Sequence, residues 1–269
     1  MLLDKKIGLA LGGGAARGMA HIGVLKVLEE YDIPIACVAG TSVGSLIGAA
    51  YCSGLSWRRI SEITEEISWG ELVRPSLSGK GLLKTEKLDS FLRHALGEIS
   101  FDDLKIPFAA VCVDIATAEE VVLTEGSVVE AVRASSSIPG IFEPLIRGER
   151  ALVDGGVANN LPSVTARTLG ADIVIAVDLT PEASNREMPQ NLIDVMFRTF
   201  AALMWNTAIA GKNDCDVLIQ PDIAGFSYHD LSKRDELIAA GEKAAREALG
   251  RVARKRRIFP FRLPIIDKT

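Results

Sequence analysis

A three-layer α/β/α fold with a mostly parallel central sheet is what this chain predicts, and three observations carry the prediction. Apolar runs such as Asp172–Leu179 lack the polar alternation of a half-exposed strand, as strands buried on both faces do. Segments of helical length separate these runs, which is the βαβ pattern of a parallel sheet. Glycine is frequent, at 24 residues, while aromatics make up only 6% of the chain, so the core must be built from Val, Ile, Leu and Ala with glycine-rich turns.

Taken in order, Lys6–Leu11 predicts a first strand running into the glycine-rich turn Gly12–Gly18. Met19–Glu30 predicts a helix, with Ile22, Leu25, Val27 and Leu28 apolar and Glu29 and Glu30 solvated. Ile35–Ala39 is a short buried strand, and Val43–Ser53 a helix stopped by Gly54. Amphipathic helices are expected over Trp57–Ser68 and Glu86–Leu96, joined by a Ser/Gly-rich connection. Ile106–Ile115 and Glu120–Leu123 form two strands with a turn between them, and Ser127 with Glu130 has the capping-box spacing that opens a helix to about residue 134. Ala151–Val153 is a brief strand, and Pro162 suits the start of a helix ending at Gly170. After the Asp172–Leu179 strand come a mostly apolar helix over Asn191–Ala210, a short strand at Val217–Gln220 and a charged, Ala-rich helix over Ser232–Leu249.

Residues 1–250 are expected to form a single domain, with no repeat or linker to divide it. Net charge is −5, against a general nucleic-acid binder, but residues 251–269 hold seven Lys/Arg and one Asp. Arg251, Arg254, Lys255, Arg256 and Arg257 precede the apolar Ile258-Phe259-Pro260-Phe261. Three readings stand: transient contact with an anionic lipid surface, a solvated helix end whose apolar segment packs on the body, or a disordered tail. Cys37, Cys52, Cys112 and Cys215 lack metal-site spacing and suit free thiols in a cytoplasmic protein. Asp4, Lys5 and Lys6 precede only a short apolar run, so no signal peptide is expected. Ile33–Trp57 has no charged residue and the length to span a bilayer, but its glycines, Pro34 and serines favour strand, sharp turn and buried helix instead.

Gly40-Thr41-Ser42-Val43-Gly44 matches G-x-S-x-G at a strand-to-helix junction. A turn tight enough to project its central side chain needs small flanking residues, hence Gly40 and Gly44. Ser42 would then sit at a helix N-terminus, where free N–H groups favour developing negative charge. In Gly12-Gly13-Gly14-Ala15-Ala16-Arg17-Gly18 the dinucleotide pattern fails in every frame, and Met19-Ala20 replaces the Lys-Ser/Thr of a phosphate loop. What remains is either a tight structural turn or a set of N–H groups able to bind an oxyanion.

A base must accompany the serine. His21, His94 and His229 lie in no motif, and His229 is the one a Ser-Asp-His chain order would select. Asp154-Gly155-Gly156 competes: it ends a short strand, and the two glycines permit a close turn. A carboxylate near pKa ~4 is a weak base for an alcohol, and becomes usable if burial raises that value.

In this order, Gly12–Gly18 with the following Met19–Gly23, Gly40–Gly44, Arg133–Pro139 and Asp154-Gly155-Gly156 resemble the patatin-like phospholipases. More closely, they look like the compact bacterial members related to the neuropathy-target-esterase group, and the match spans roughly residues 6 to 180. The resemblance implies a patatin-like fold and metal-free, cofactor-free hydrolysis of phospholipid or other acyl esters through an acyl-serine. Ser42 would be the nucleophile and Asp154 the general base, without histidine. The oxyanion hole would be the N–H groups of the loop Gly12, Gly13, Gly14 and Ala15, with Arg17 nearby or serving as a structural ion-pair partner. Ala15 stands where the family commonly has glycine, which matters if that position needs positive φ. The alternatives are a His-dependent esterase or thioesterase of α/β-hydrolase type and a catalytically silent regulatory protein with this fold. An α/β-hydrolase would place several strands before its elbow, whereas Ser42 follows two.

Overall fold

The computed structural model describes residues 5–65, 74–75, 81, 83–84, 86–180, 188–228 and 230–255. From the N-terminus, β1 (Ile7–Leu11) leads through a 3-10 turn at Ala15–Gly18 into α1 (Met19–Glu30), and β2 (Ile35–Thr41) turns at Ser42 into α2 (Val43–Cys52). Next come α3 (Trp57–Glu65), a two-stranded pair β3 (Arg74–Pro75) and β4 (Leu83–Lys84), and α4 (Glu86–Leu96). β5 (Phe108–Asp114) and β6 (Glu119–Leu123) form a hairpin, α5 (Val128–Ser135) follows, and β7 (Leu145–Arg147) and β8 (Arg150–Asp154) form a second hairpin. α6 (Ser163–Thr168), β9 (Ile173–Val177), α7 (Leu192–Asp214), β10 (Val217–Ile219) and α8 (Arg234–Lys255) complete the order.

The main sheet has eight strands in the order β10-β9-β1-β2-β5-β8-β7, with β6 also paired to β5. β10, β9, β1, β2 and β5 are parallel, and the two hairpins add an antiparallel side. The sheet is therefore mostly parallel and covered on both faces, as the alternation predicts. β7 is absent from the sequence reading because three residues carry no period; its pairing with β8 defines it.

Side-chain size divides the two faces. Ile7, Leu9, Leu11, Ile173, Ile175 and Val177 belong to a large core shared with α1, α2, α5 and α8. Between them, Ala10, Cys37, Ala39, Val174 and Ala176 turn the other way and pack with α6 and α7 through Ala166 and Ala208. The small residues let helices approach the sheet closely beside the strand ends. Cys37, Cys52 and Cys112 are buried and Cys215 is half-buried, all as free thiols. The uncharged Ile33–Trp57 stretch is strand, turn and helix, and no helix among the described residues is long and apolar enough to cross a membrane. The boundary expected at residue 250 falls inside α8, which continues to Lys255, and positions 256–269 lie outside the described residues.

The C-terminal ends of the parallel strands come together. Leu11 pairs with Gly40 on one side and Val177 on the other, so the turns after β1, β2 and β9 are adjacent. In open α/β sheets, that edge is where binding crevices form.

Candidate active site

Ser42 has φ 55° and ψ −127°, a left-handed backbone conformation that residues with a Cβ rarely adopt. Such a residue costs on the order of 1–3 kcal/mol and persists only where its surroundings hold it. Here they do. Its N–H donates to Ser135 Oγ (2.9 Å), and that hydroxyl donates on to Val111 O (2.6 Å). Its carbonyl accepts from Ser45 N–H (2.8 Å), Ser45 Oγ (2.6 Å) and Leu46 N–H (3.2 Å). A Cβ on Gly40 would lie 2.5 Å from Gly44 O, and one on Gly44 would collide with Leu11 O, so both flanks require glycine.

The glycine loop is latched almost throughout. Gly12 N–H donates to Val177 O (3.0 Å), and Gly12 O accepts from His21 Nε2 (2.8 Å). Gly13 N–H donates to Asn160 O (3.2 Å), and Gly13 O receives Asn160 Nδ2 at a long 3.4 Å. Gly14 O accepts Arg17 N–H (3.1 Å), and Ala16 N–H donates to Tyr228 O (3.0 Å). Gly14 and Ala15 keep N–H groups with no partner among the described residues. Those of Gly12, Gly13 and Arg17, within the donor set expected from sequence, are engaged elsewhere. Arg17 has no ion-pair partner among the described residues; its Nε (2.9 Å) and Nη2 (2.6 Å) donate to Phe226 O, and its guanidinium lies over the Tyr228 ring at 3.7 Å. Ala15 has φ 48°, so this position does require positive φ. The loop lies against Ser42: a Cβ on Gly13 would stand 3.2 Å from Ser42 Cβ.

Asp154 ends β8 and is fully buried. Strand β5 sets it beside the elbow, because Val111 pairs with Thr41 and the next residue, Cys112, pairs with Asp154. Its N–H donates to Ser137 O (2.9 Å), so the Arg133–Pro139 segment supports the serine through Ser135 and the aspartate through Ser137. Oδ1 accepts Gly156 N–H (2.9 Å), while Oδ2 has no hydrogen-bond partner of good geometry among the described residues. Burial pushes the carboxyl up to about 7, against the opposing pull of the Ser42 hydroxyl and the Gly156 N–H. The Ser42 hydroxyl thus lies close enough to the carboxylate to favour its charged form. A Cβ on Gly155 would collide with Val111 O, and Gly156 packs under Phe200 and Met204 of α7. Thr207 Oγ1 donates to Gly156 O (2.9 Å). The inner face of α7 joins Ile138, Ile141 and Phe142 in a separate apolar cluster beside this turn, while Leu203 and Ile209 on its outer side are exposed.

The structure brings Ser42, the glycine loop and Asp154 to one edge of the sheet. His21 is buried, committed to Gly12 O and pushed down to about 4 by desolvation, hence neutral. His94 is exposed on α4, and His229 lies outside the described residues. No group of three or more His, Cys, Asp or Glu among the described residues is placed to hold a metal. Sequence reasoning misses Asn160, since a single asparagine six positions after Asp154 has no distinguishing pattern. It also misses the roles of Ser135 and Tyr228.

A family model described as patatin-like phospholipase matches residues 9–166. An NTE family protein of Mycobacterium tuberculosis is 35% identical over 183 residues, 65% of this chain and 49% of that protein. Human patatin-like phospholipase domain-containing protein 6 is 36% identical over 187 residues, 66% of this chain and 14% of that protein. A lysophospholipase of Coccidioides immitis is 30% identical over 287 residues, 93% of this chain and 18% of that protein. The chain spans about half the length of the mycobacterial relative and less than a fifth of the two eukaryotic ones. Among solved structures, VipD from Legionella pneumophila superposes with a TM-score of 0.62 at 12% identity, covering 91% of this chain and 67% of that one, and so shares the fold. By sequence, fold and the order of its motifs, the chain belongs to the patatin-like phospholipase family.

Proposed function

We propose that this protein is a serine lipid acyl-hydrolase working through Ser42 and Asp154 alone. The observation that carries the reading is the fully buried Asp154, with one unpaired oxygen and a pKa pushed up to about 7 by burial, beside a serine held in a strained elbow. Ordinary carboxylates are too weak as bases, and this value lies near neutral pH, where general bases work best.

In the first step the Ser42 hydroxyl gives its proton to the Asp154 carboxylate as Oγ bonds to the ester carbonyl carbon. The carbonyl oxygen becomes an oxyanion, accepted by the free N–H groups of Gly14 and Ala15. Collapse of the tetrahedral intermediate breaks the C–O bond, and the Asp154 carboxyl protonates the departing alkoxide. A water then gives a proton to Asp154 as its oxygen bonds to the acyl carbon; collapse of this second intermediate breaks the bond to Ser42 Oγ, which takes the proton back from Asp154, and the fatty acid leaves. Family membership, and relatives named phospholipase and lysophospholipase, support lipid acyl esters as the substrates.

The test is direct. Ser42→Ala and Asp154→Asn should each abolish hydrolysis of a p-nitrophenyl ester, and His229→Ala should keep it. A fluorophosphonate probe should label the wild type at Ser42. Activity that survives Asp154→Asn but not His229→Ala would establish a histidine base instead; absence of labelling would favour a silent protein.

The reading extends to a cytoplasmic enzyme in peripheral contact with anionic membranes through residues 251–269, supported by the basic cluster before Ile258-Phe259-Pro260-Phe261. Removing those residues should weaken binding to phosphatidylserine vesicles while sparing short soluble esters. Equal vesicle binding would sink that part.

A further inference from the structure

Asn160 is completely buried and grips one residue of the glycine loop from both sides. Its main-chain carbonyl accepts Gly13 N–H (3.2 Å), and its side-chain Nδ2 reaches Gly13 O (3.4 Å). The other amide atom, Oδ1, is buried without a partner. It fills the space a side chain at Gly13 would need, since a Cβ there would stand 2.5 Å from it, and it lies 3.2 Å from the corresponding position on Gly156. Reversing the amide would bring Oδ1 against the Gly13 carbonyl, two acceptors in contact, so the assigned orientation is the sound one.

Gly13 O and Gly14 N–H belong to the same peptide plane. In a trans peptide they point in opposite directions, so whatever holds the carbonyl aims the N–H. The neighbouring peptides are held by other means: Gly12 O by His21 and Gly14 O by Arg17 N–H. The peptide between Gly13 and Gly14 has Asn160 Nδ2 as its only carbonyl partner among the described residues, and its N–H is free. We propose that Asn160 is the positioning residue of the oxyanion site: its side-chain amide clamps the Gly13 carbonyl, aiming the Gly14 N–H at the substrate oxygen that becomes negative. This rests on Ser42 being the nucleophile.

The clamp acts more strongly in the transition state than in the ground state. When the Gly14 N–H donates to an oxyanion, electron density shifts onto the Gly13 carbonyl, which becomes a better acceptor for Nδ2. The long 3.4 Å contact is the one that tightens. An interaction that strengthens only as charge develops raises kcat rather than lowering KM.

Asn160→Ala and Asn160→Ser should therefore lower kcat for a p-nitrophenyl ester by about 10- to 100-fold, less than complete loss of an oxyanion donor, with KM within about 3-fold. The decisive probe is an alkyl trifluoromethyl ketone, which forms an oxyanion adduct on the serine, compared with the alcohol of the same skeleton, which forms none. The ketone should bind more weakly to the variants by the factor lost in kcat, and the alcohol should bind equally well. The proposal is overturned if the ketone is unaffected, if the alcohol weakens in parallel, or if neither variant retains a cooperative thermal transition. Failure of the underlying reading would show differently: Ser42→Ala would still hydrolyse the ester, or the wild type would make no adduct.

Discussion

The glycine loop and the aspartate turn each rest on a fully buried ionisable side chain, and burial shifts the two in opposite directions. Behind the loop, desolvation pushes His21 of α1 down to about 4, so the ring is neutral and its Nε2 donates to Gly12 O. In the turn, desolvation pushes Asp154 up to about 7, leaving Oδ2 unpaired. The same physical cause, loss of water, lowers the histidine and raises the carboxyl, because in each it disfavours the charged form. The hydrogen bonds explain the rest. Every loop carbonyl from Gly12 to Gly14 is capped, and Gly14 and Ala15 present bare N–H groups, whereas the turn presents a bare acceptor. One side of the site is built to donate and the other to accept, with Ser42 against both.

The pH dependence of stability has opposite sign in the two regions. Asp154 has a folded value above the 3.8 of an unperturbed carboxyl, so the folded state holds its proton more tightly. Its stabilising contribution is complete below that value and is lost as pH rises through about 7. His21 has a folded value below 6.5, so its contribution is complete above 6.5 and is lost as pH falls through about 4.

The largest expected effect comes from neutralising the turn. Asp154→Asn keeps an acceptor for Gly156 N–H and removes the buried charge. It should lower kcat by more than about a thousandfold yet raise unfolding stability at pH 8 by roughly 1–3 kcal/mol, measured by urea titration. A less stable variant would mean that the carboxylate is paired in solution. Second, wild-type kcat/KM should rise about tenfold per pH unit on the acid side and level off above about 7. His21→Ala should destabilise by about 1–3 kcal/mol and slow turnover while leaving that acid limb in place; a displaced limb would transfer the base role to the loop. Third, Ser135→Ala strips the support from the Ser42 N–H. A loss of roughly tenfold in kcat with little change in KM is expected, and an unchanged rate would show that the elbow holds itself. The smallest effect is at Ala15. Glycine accepts φ 48° without a Cβ penalty, so Ala15→Gly should leave the rate within about 3-fold and raise stability by up to roughly 1 kcal/mol in a melting curve.

Much of the fold is legible in the residues because strand signals here are strong and local. The runs around Leu9, Val38 and Ile175 are apolar over a full strand, and Gly54 and Gly170 end their helices with φ 98° and 103°. The elbow is legible for the same reason, since Gly40 and Gly44 leave a trace in sequence. Less visible are the devices that pair residues far apart. The side chains of Ser135 and Asn160 each make one hydrogen bond, to Ser42 N–H and to Gly13 O, over 93 and 147 residues, and no period or spacing announces such a partner. The whole of Gly12–Arg17 looks like one set of donors when read as a string. Only the partners of each N–H reduce it to Gly14 and Ala15.

The sequence by itself determines the helices and the longer strands, where the backbone must turn sharply, and that Ser42 stands at a strand-to-helix turn. These are local properties, set by side-chain size, periodicity and the absence of a Cβ at glycine. The tertiary structure decides that Asp154 lies beside Ser42 rather than elsewhere on the sheet. β5 pairs Thr41 and Asp154 with consecutive residues, Val111 and Cys112. It also decides protonation, because a pKa depends on how much water surrounds a group, and burial is a property of the packed molecule. In the string of residues, Asp154 is an ordinary acid after a valine; packed beside α7 and the elbow, its carboxyl is pushed up to about 7.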